Sequence, residues 1–325
     1  MFALVNGYRV SQMLAVVAKL RIADHLHSAP RSAAELARLT GAHEDSLYRL
    51  LRTVAGFGIF REGAGRVFTL TPLATLLVSE TEGSLRLDAE VVGEEWSWRA
   101  WGGLLDSVQT GRTAFDSVYG QNTWEWFQEH ASASVLFNDW LQGLSRRVAD
   151  KLLDAIDVTP SSVLVDVGGG HGAMLKALLR RHGSVQGVLF DTPHVIASAC
   201  LKWDGDSFSR VTFVAGDCFD RVPGGGDVYL LKDVLHDWTD ADALAILRSC
   251  RSAMEPRARL LLIEHVIAEP NQPCAGKMLD MQMMVRQGGR NRTEEEFRTL
   301  LTAADFRMAR LIATPDAPHV VVATP

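Results

Sequence analysis

Residues 162–172 read Ser-Val-Leu-Val-Asp-Val-Gly-Gly-Gly-His-Gly, and this stretch decides the fold. Val163–Val167 is an apolar run of strand length. The glycines behind it permit a tight turn and the close approach of a ligand, and helical periodicity resumes over residues 174–181. The alternation then repeats, with apolar strands over 187–190, 211–214, 227–231 and 260–263 and helices over 241–254 and 294–304. Repeated strand–helix units build a parallel, doubly wound sheet that takes its ligands at the carboxyl ends of the strands. Residues 307–313 and 319–323 form two last strands around Pro315-Asp316-Ala317-Pro318, which predicts an antiparallel hairpin at the sheet's edge. The expected class is therefore α/β, with a Rossmann-like sheet and a C-terminal hairpin that dinucleotide-binding domains do not require.

The glycine run satisfies G-x-G-x-x-A through Gly168, Gly170 and Ala173, so a nicotinamide dinucleotide is one candidate ligand. Asp191, ending the second strand, accepts ribose hydroxyls from that ligand or from S-adenosylmethionine. Two features favour S-adenosylmethionine. Asp166, two positions before the first glycine, suits a cationic amino-acid moiety rather than a pyrophosphate. After the third strand, Gly216-Asp217-Cys218-Phe219 sets a carboxylate beside an aromatic ring, a pair able to hold the adenine amino group and stack its ring.

The fourth strand runs into Lys232-Asp233-Val234-Leu235-His236-Asp237-Trp238, and the fifth ends in Glu264-His265. Both strand ends face the same mouth of the sheet. A carboxylate that accepts the Nδ1 proton of a histidine fixes its tautomer and leaves Nε2 to take a proton, so His236 and Glu264 are a candidate general base and its orienting acid.

Upstream, residues 11–27 have the spacing of one amphipathic helix. Ser32 and Glu35 form a capping-box pattern that opens a second, and a third spans 44–57. Residues 58–71 read as a hairpin around Gly63-Ala64-Gly65, which completes a winged helix. Its third helix interrupts Glu44, Asp45, Arg49 and Arg52 with Leu47, Leu50, Leu51 and Val54, and residues 1–80 carry nine basic against six acidic side chains. A duplex reader has a denser basic stripe, so the module is expected to hold subunits together rather than bind nucleic acid. Residues 81–130 are acidic and aromatic, with Trp96, Trp98, Trp101, Trp124, Trp126 and Phe127. The expected division is a dimerisation domain over 1–90, a helical connector that helps roof a pocket over 91–160, and a catalytic domain over 161–325.

Composition agrees with a cytoplasmic protein that binds no membrane. Among 325 residues, 33 Lys and Arg stand against 39 Asp and Glu, a formal charge of −6, so there is no general attraction to nucleic acid or anionic lipid. Cys200, Cys218, Cys250 and Cys274 have no metal-binding or redox spacing, and no metal is expected. No apolar run has the length of a membrane span.

Taken together, the blocks VLVDVGGGHG (163–172), GVLFDTPHV (187–195), GDCFDRVPGGGDVYLLKDVLHDWTD (216–240), ARLLLIEHV (258–266) and GGRNRTEEEFRTLLTAADF (288–306) resemble the class I S-adenosylmethionine-dependent O-methyltransferases of the plant type, a family also found in bacterial natural-product pathways. Residues 11–71 resemble that family's winged-helix dimerisation module. The resemblance implies a homodimer that methylates a hydroxyl of a small aromatic or polyketide-like acceptor and releases S-adenosylhomocysteine. By position, Gly168, Asp191, Asp217, Cys218, Phe219 and Lys232 match cofactor contacts. His236 matches the general base, Asp237 its neighbour and Glu264 the orienting carboxylate. Phe127, Phe137, Leu141, Met281, Met284 and Arg286 match the acceptor pocket, where Arg286 suits an acidic acceptor. The chain departs at Asn291, where the family often has a second acid. Asn291 is able to hydrogen-bond His236 or the acceptor but brings no charge.

Alternatives of other chemistry are a related enzyme that methylates nitrogen, or one that uses the same cofactor without methyl transfer, in hydroxylation, decarboxylation or cyclisation. A winged-helix ligand-sensing regulator and a nicotinamide-dependent reductase stand further off, against the weak basic stripe and the closing hairpin respectively.

Overall fold

The computed structural model describes residues 1–203, 205 and 207–325. They divide into two compact units, Met1–Gly102 with Trp124–Arg147, and Gly103–Thr123 with Val148–Pro325.

In the first unit, α1 (Phe2–Lys19) and α2 (Ile22–His27) replace the single helix expected over 11–27. The break falls at Arg21, whose φ of 51° is left-handed. The restart lets Ile22 and Leu26 join one apolar cluster with Leu36, Leu51 and Phe68. Next come β1 (Arg31–Ser32) and α3 (Ala33–Thr40), opened by the Ser32–Glu35 capping box, and α4 (Glu44–Ala55), which buries Leu47, Leu51 and Val54. The wing is β2 (Phe60–Gly63) and β3 (Val67–Leu70), and all three strands pair antiparallel in the order β1-β3-β2. Arg52 and Arg66, on the exposed side of α4 and in the wing, stack over the Tyr48 ring. Then follow α5 (Arg86–Gly93) and α6 (Glu95–Gly102).

The second unit begins with α7 (Leu104–Thr110) and α8 (Ala114–Tyr119). The helices α9 (Thr123–Glu129) and α10 (Ala131–Leu153) each contribute residues to both units. The chain then alternates β4 (Val163–Val167), α11 (Ala173–Arg181), β5 (Gln186–Asp191), α12 (Pro193–Lys202), β6 (Val211–Ala215), β7 (Val228–Lys232), α13 (Asp240–Ala253) and β8 (Arg259–Glu264). It ends in α14 (Ala275–Arg286), α15 (Glu294–Ala303), β9 (Arg307–Ile312) and β10 (His319–Thr324).

The seven strands lie in the order β6-β5-β4-β7-β8-β10-β9, parallel except for β10, which runs antiparallel to both β8 and β9. Alternation along β4 sends Leu164 to a cluster with Leu175 and Leu178 of α11, and sends Val165 and Val167 to one with Leu247 of α13 and Phe297 of α15. Helices thus cover both faces. Strand order reverses between β4 and β7, so the carboxyl ends of these two strands flank the crevice where such sheets bind ligands. Among the described residues, no helix is long and apolar enough to cross a membrane.

Candidate functional site

The loop after β4 is shaped by glycine. Gly168, Gly170 and Gly172 have φ of 67°, 59° and 75°, a region side chains rarely occupy. Gly169 is excluded from substitution by space: a Cβ there would stand 2.6 Å from the Asp166 carboxylate and from Leu189. The Trp203 indole donates to the carbonyl of His171 at 2.9 Å and pins the loop from outside.

Asp191 at the end of β5 is held at both oxygens. Its Oδ2 accepts from the Gly170 amide at 2.8 Å and its Oδ1 from the Thr192 amide at 2.7 Å. After β6, the Phe219 amide donates to Asp217 Oδ1 at 2.9 Å, while the Phe219 ring meets Trp238 edge-on at 4.8 Å between centroids. Burial, with help from Asp217 and Asp191, pushes the Cys218 thiol up to about 11 and keeps it neutral. Gly168, Asp191, Asp217, Cys218, Phe219 and Lys232 are thus all at or just beyond the carboxyl ends of β4 to β7.

At the end of β7, Lys232 pairs with Asp233, whose φ of 54° turns the chain sharply. Burial opposes ionisation of Asp233, but Lys232 beside it and His236 beyond outweigh burial and hold its carboxyl below the usual range. A single 3-10 turn, Leu235–Asp237, then presents His236. Glu264, fully buried at the end of β8, accepts the Leu235 amide on Oε1 at 2.9 Å and lies 2.6 Å from His236 Nδ1 through Oε2. An ionised carboxylate only accepts, so Nδ1 is the donor and Nε2 is left to the acceptor side. Burial alone would depress the imidazole, but Glu264, through charge and hydrogen bond, then Asp237 and Asp233, push it up to about 10. Asp233, His236 and Glu264 bring ligand-type atoms within 4.8 Å of one another. Lys232, Leu235 and the imidazole itself already engage those carboxylates, which gives the cluster an acid–base character.

Asp237 Oδ1 lies 3.7 Å from His236 Nε2. Burial pushes its carboxyl up to about 6 despite attraction from His236 and Arg286. Arg286, at the C-terminal end of α14 and 1% exposed, is brought down to about 9 by burial, with Asp237 opposing. Met281 and Met284 are half-buried on the same helix. Phe127 and Phe137 belong to the first unit. There they stack at 4.7 Å and meet Trp96 edge-on, while Leu141 is partly exposed. Asn291 donates from Nδ2 to the carbonyl of His265 at 2.8 Å, and its amide donates to Asp280. That side-chain donor ties the loop after β8 and does not reach for His236.

Sequence reasoning missed Arg292. It is 1% exposed, donates to the Leu235 and Trp238 carbonyls at 2.8 and 3.1 Å, and pairs with Asp240 at 2.9 Å. It therefore staples both ends of the turn that carries His236. Gly289 also lies against that turn, where a Cβ would fall 2.1 Å from the His236 carbonyl. The only signal for either was their place in the block 288–306.

Two domain families match the chain: an O-methyltransferase dimerisation domain over residues 2–80 and an O-methyltransferase domain over residues 101–307. The chain belongs to the O-methyltransferase family. The phenazine O-methyltransferase PhzM of Lysobacter antibioticus is 41% identical over 323 residues, 99% of this chain and 94% of that protein. The crystal structure of LaPhzM superposes with a TM-score of 0.95 at 41% identity, covering all of this chain and 98% of that one. The O-methyltransferase NcsB1 from neocarzinostatin biosynthesis, solved with S-adenosylmethionine and 2-hydroxy-5-methyl naphthoic acid, is 30% identical with a TM-score of 0.83, covering 97% of this chain and 95% of that one.

The residues present fit such a cofactor. A side-chain-free cradle ends β4, fixed carboxylates end β5 and follow β6, and the Asp166 carboxylate lies buried beneath the cradle with neither oxygen hydrogen-bonded. Carboxylates with an adjacent ring match a nucleoside, and the buried acid matches a cation.

Proposed function

We propose that this O-methyltransferase transfers the methyl group of S-adenosylmethionine to an acidic hydroxyl of a small aromatic natural product, with His236 as the proton acceptor and Glu264 as its orienting group. The 2.6 Å contact between His236 Nδ1 and buried Glu264 carries the reading. Bound S-adenosylmethionine supplies an electrophilic methyl on a sulfonium, which an oxygen in line with the carbon–sulfur bond displaces. Asp191, Asp217 and Phe219 hold the nucleoside, the Gly168 loop and Lys232 border the amino-acid end, and Met281, Met284 and Arg286 approach the acceptor. Fixing both reactants is the larger contribution, worth about 7–11 kcal/mol of barrier. Phe127, Phe137 and Leu141, in the first unit, match the acceptor pocket only by the resemblance. Exposed apolar side chains on α1, including Phe2 at 84% and Leu4 at 81%, favour a homodimer built through the region that matches the dimerisation domain.

The imidazole's affinity for its proton selects the acceptor. A neutral phenol facing imidazole and a phenolate facing imidazolium contain the same number of protons. With His236 near 10 and an ordinary phenol also near 10, the enzyme at neutral pH carries one proton too many. A hydroxyl acidified by its ring sheds the extra proton to solvent, so a single proton remains between it and the imidazole, and His236 takes that proton as the oxygen attacks. Arg286 adds a second buried cation, and the hydroxynaphthoic acid held by NcsB1 carries both an aromatic hydroxyl and a carboxylic acid.

Incubation with S-adenosylmethionine and a panel of hydroxyarenes, with and without carboxylates, tests the reaction by mass spectrometry and NMR. The expected product gains one methyl on oxygen, and a product methylated on nitrogen or lacking the methyl overturns the assignment. Arg286→Met is expected to raise the KM of the acidic acceptors about 10- to 100-fold, the loss of a charge-assisted hydrogen bond, with a smaller change in kcat. An unchanged KM removes the acidic-acceptor reading.

A further inference from the structure

The carboxyl edge of the sheet places its charged side chains in order: Asp217 beyond β6, Asp191 on β5, Asp166 on β4 and Lys232 on β7. A nucleoside held by the first two leaves the amino-acid end of the cofactor over β4 and the glycine cradle. Asp166 lies directly beneath that cradle, 1% exposed, and neither of its oxygens has a hydrogen-bond partner. The charged groups that face it are Lys232 from β7, already paired with Asp233, and Asp191 from β5, which repels it. From α11 only the Leu175 amide offers a weak attraction, and His171 in the loop turns its ring to Ser198. Asp166 thus shares the Lys232 ammonium with Asp233, which pairs with it directly, and its own buried charge is left without a hydrogen bond.

Resting on the cofactor assigned above, we infer that Asp166 receives the ammonium end of S-adenosylmethionine by exchange: it is protonated in the free enzyme and surrenders that proton when the ligand's cation arrives. The O–H bond of the carboxylic acid breaks, the proton passes to solvent, and one carboxylate–ammonium pair forms in its place. Burial, followed by repulsion from Asp191 and against attraction from Lys232, pushes the Asp166 carboxyl up to about 7, where a proton is available to exchange near neutrality. Cofactor and product both carry the ammonium, so both bind more weakly as pH falls.

Titration calorimetry with S-adenosylhomocysteine tests the exchange, at a pH below the pKa of the ligand's own amino group. At pH 6.5, heats measured in phosphate and in imidazole buffer are expected to differ by the release of about three-quarters of a proton. Affinity of the unmodified enzyme is expected to rise about tenfold per pH unit below 7 and to level off above about 8. The isosteric Asp166→Asn should release no proton and show a flat profile. Buffer-independent heats and a flat profile in the unmodified enzyme overturn the inference without recourse to the variant, as does undiminished proton release by a folded Asp166→Asn. Absence of any binding by the unmodified enzyme instead overturns the cofactor assignment itself.

Discussion

Replacing His236 by alanine is expected to lower turnover roughly 10²- to 10⁴-fold while leaving the affinity for S-adenosylhomocysteine unchanged. The split follows from position. The imidazole sits on the turn after β7 with its Nδ1 proton on Glu264, and it makes no hydrogen bond to the glycine loop, Asp191 or Asp217. The pH profile supplies a second readout. Because the imidazole is raised to about 10, its proton-accepting form is scarce at pH 7 and grows about tenfold per unit until pH approaches 10. With a phenol of ordinary acidity, kcat/KM of the unmodified enzyme therefore climbs with pH, and the alanine variant loses the enzyme's share of that slope. Unchanged turnover with the best acceptor would remove His236 from the mechanism.

Glu264→Gln is expected to cost a similar factor through the tautomer of a histidine that is still present. The carboxylate uses one oxygen on the Leu235 amide and the other on His236 Nδ1. An amide offers one oxygen and one NH2, so it cannot accept both protons. If its oxygen keeps Leu235, its NH2 faces Nδ1 and drives the imidazole proton to Nε2, where it blocks the acceptor. Loss of the negative charge also removes the largest attraction on the imidazole's proton and leaves Asp237 and Asp233 against burial, so its pKa falls and the alkaline slope moves to lower pH. The folded state should weaken by about 3 kcal/mol, the low end for removing one partner of a buried pair, because one hydrogen bond survives. Imidazole 15N shifts separate this mechanism from simple unfolding. Unaltered shifts and an unaltered pH profile would show that Glu264 does not orient the base.

Much of this was legible in the chain because it rests on local pattern. The strand–glycine–helix unit at 163–181 and the two strands around Pro315 specify a doubly wound sheet with a closing hairpin, and the structure has both. The helices α12 and α14 did not emerge from the pattern. In α14 the reason is packing: α7, α8 and the Leu235–Asp237 turn all contact it, so its apolar residues do not gather on one face. The Arg21 break is likewise a tertiary choice, made to bury Ile22 and Leu26. At the candidate site, strand ends were enough to bring His236 and Glu264 together. The Arg292 staple and the charge state of His236 were hidden, since the first depends on a fold-back across 52 residues to Asp240 and the second on the carboxylates of Glu264, Asp237 and Asp233, which outweigh burial. A neutral imidazole with its reference pKa of about 6.5 was the expectation, and the three carboxylates around the histidine reverse it.

The antiparallel hairpin has an influence beyond architecture. By pairing with β8, β10 makes an interior strand of what would otherwise be the sheet's rim, and its first residue, His319, stands opposite Glu264 in register. Water is thereby kept from the backbone around that acid, so the last strand of the chain helps set the local dielectric in which the histidine holds its proton. Changes in this last strand are therefore expected to register as altered proton affinity at the base, far away in sequence, as well as in the stability of the sheet.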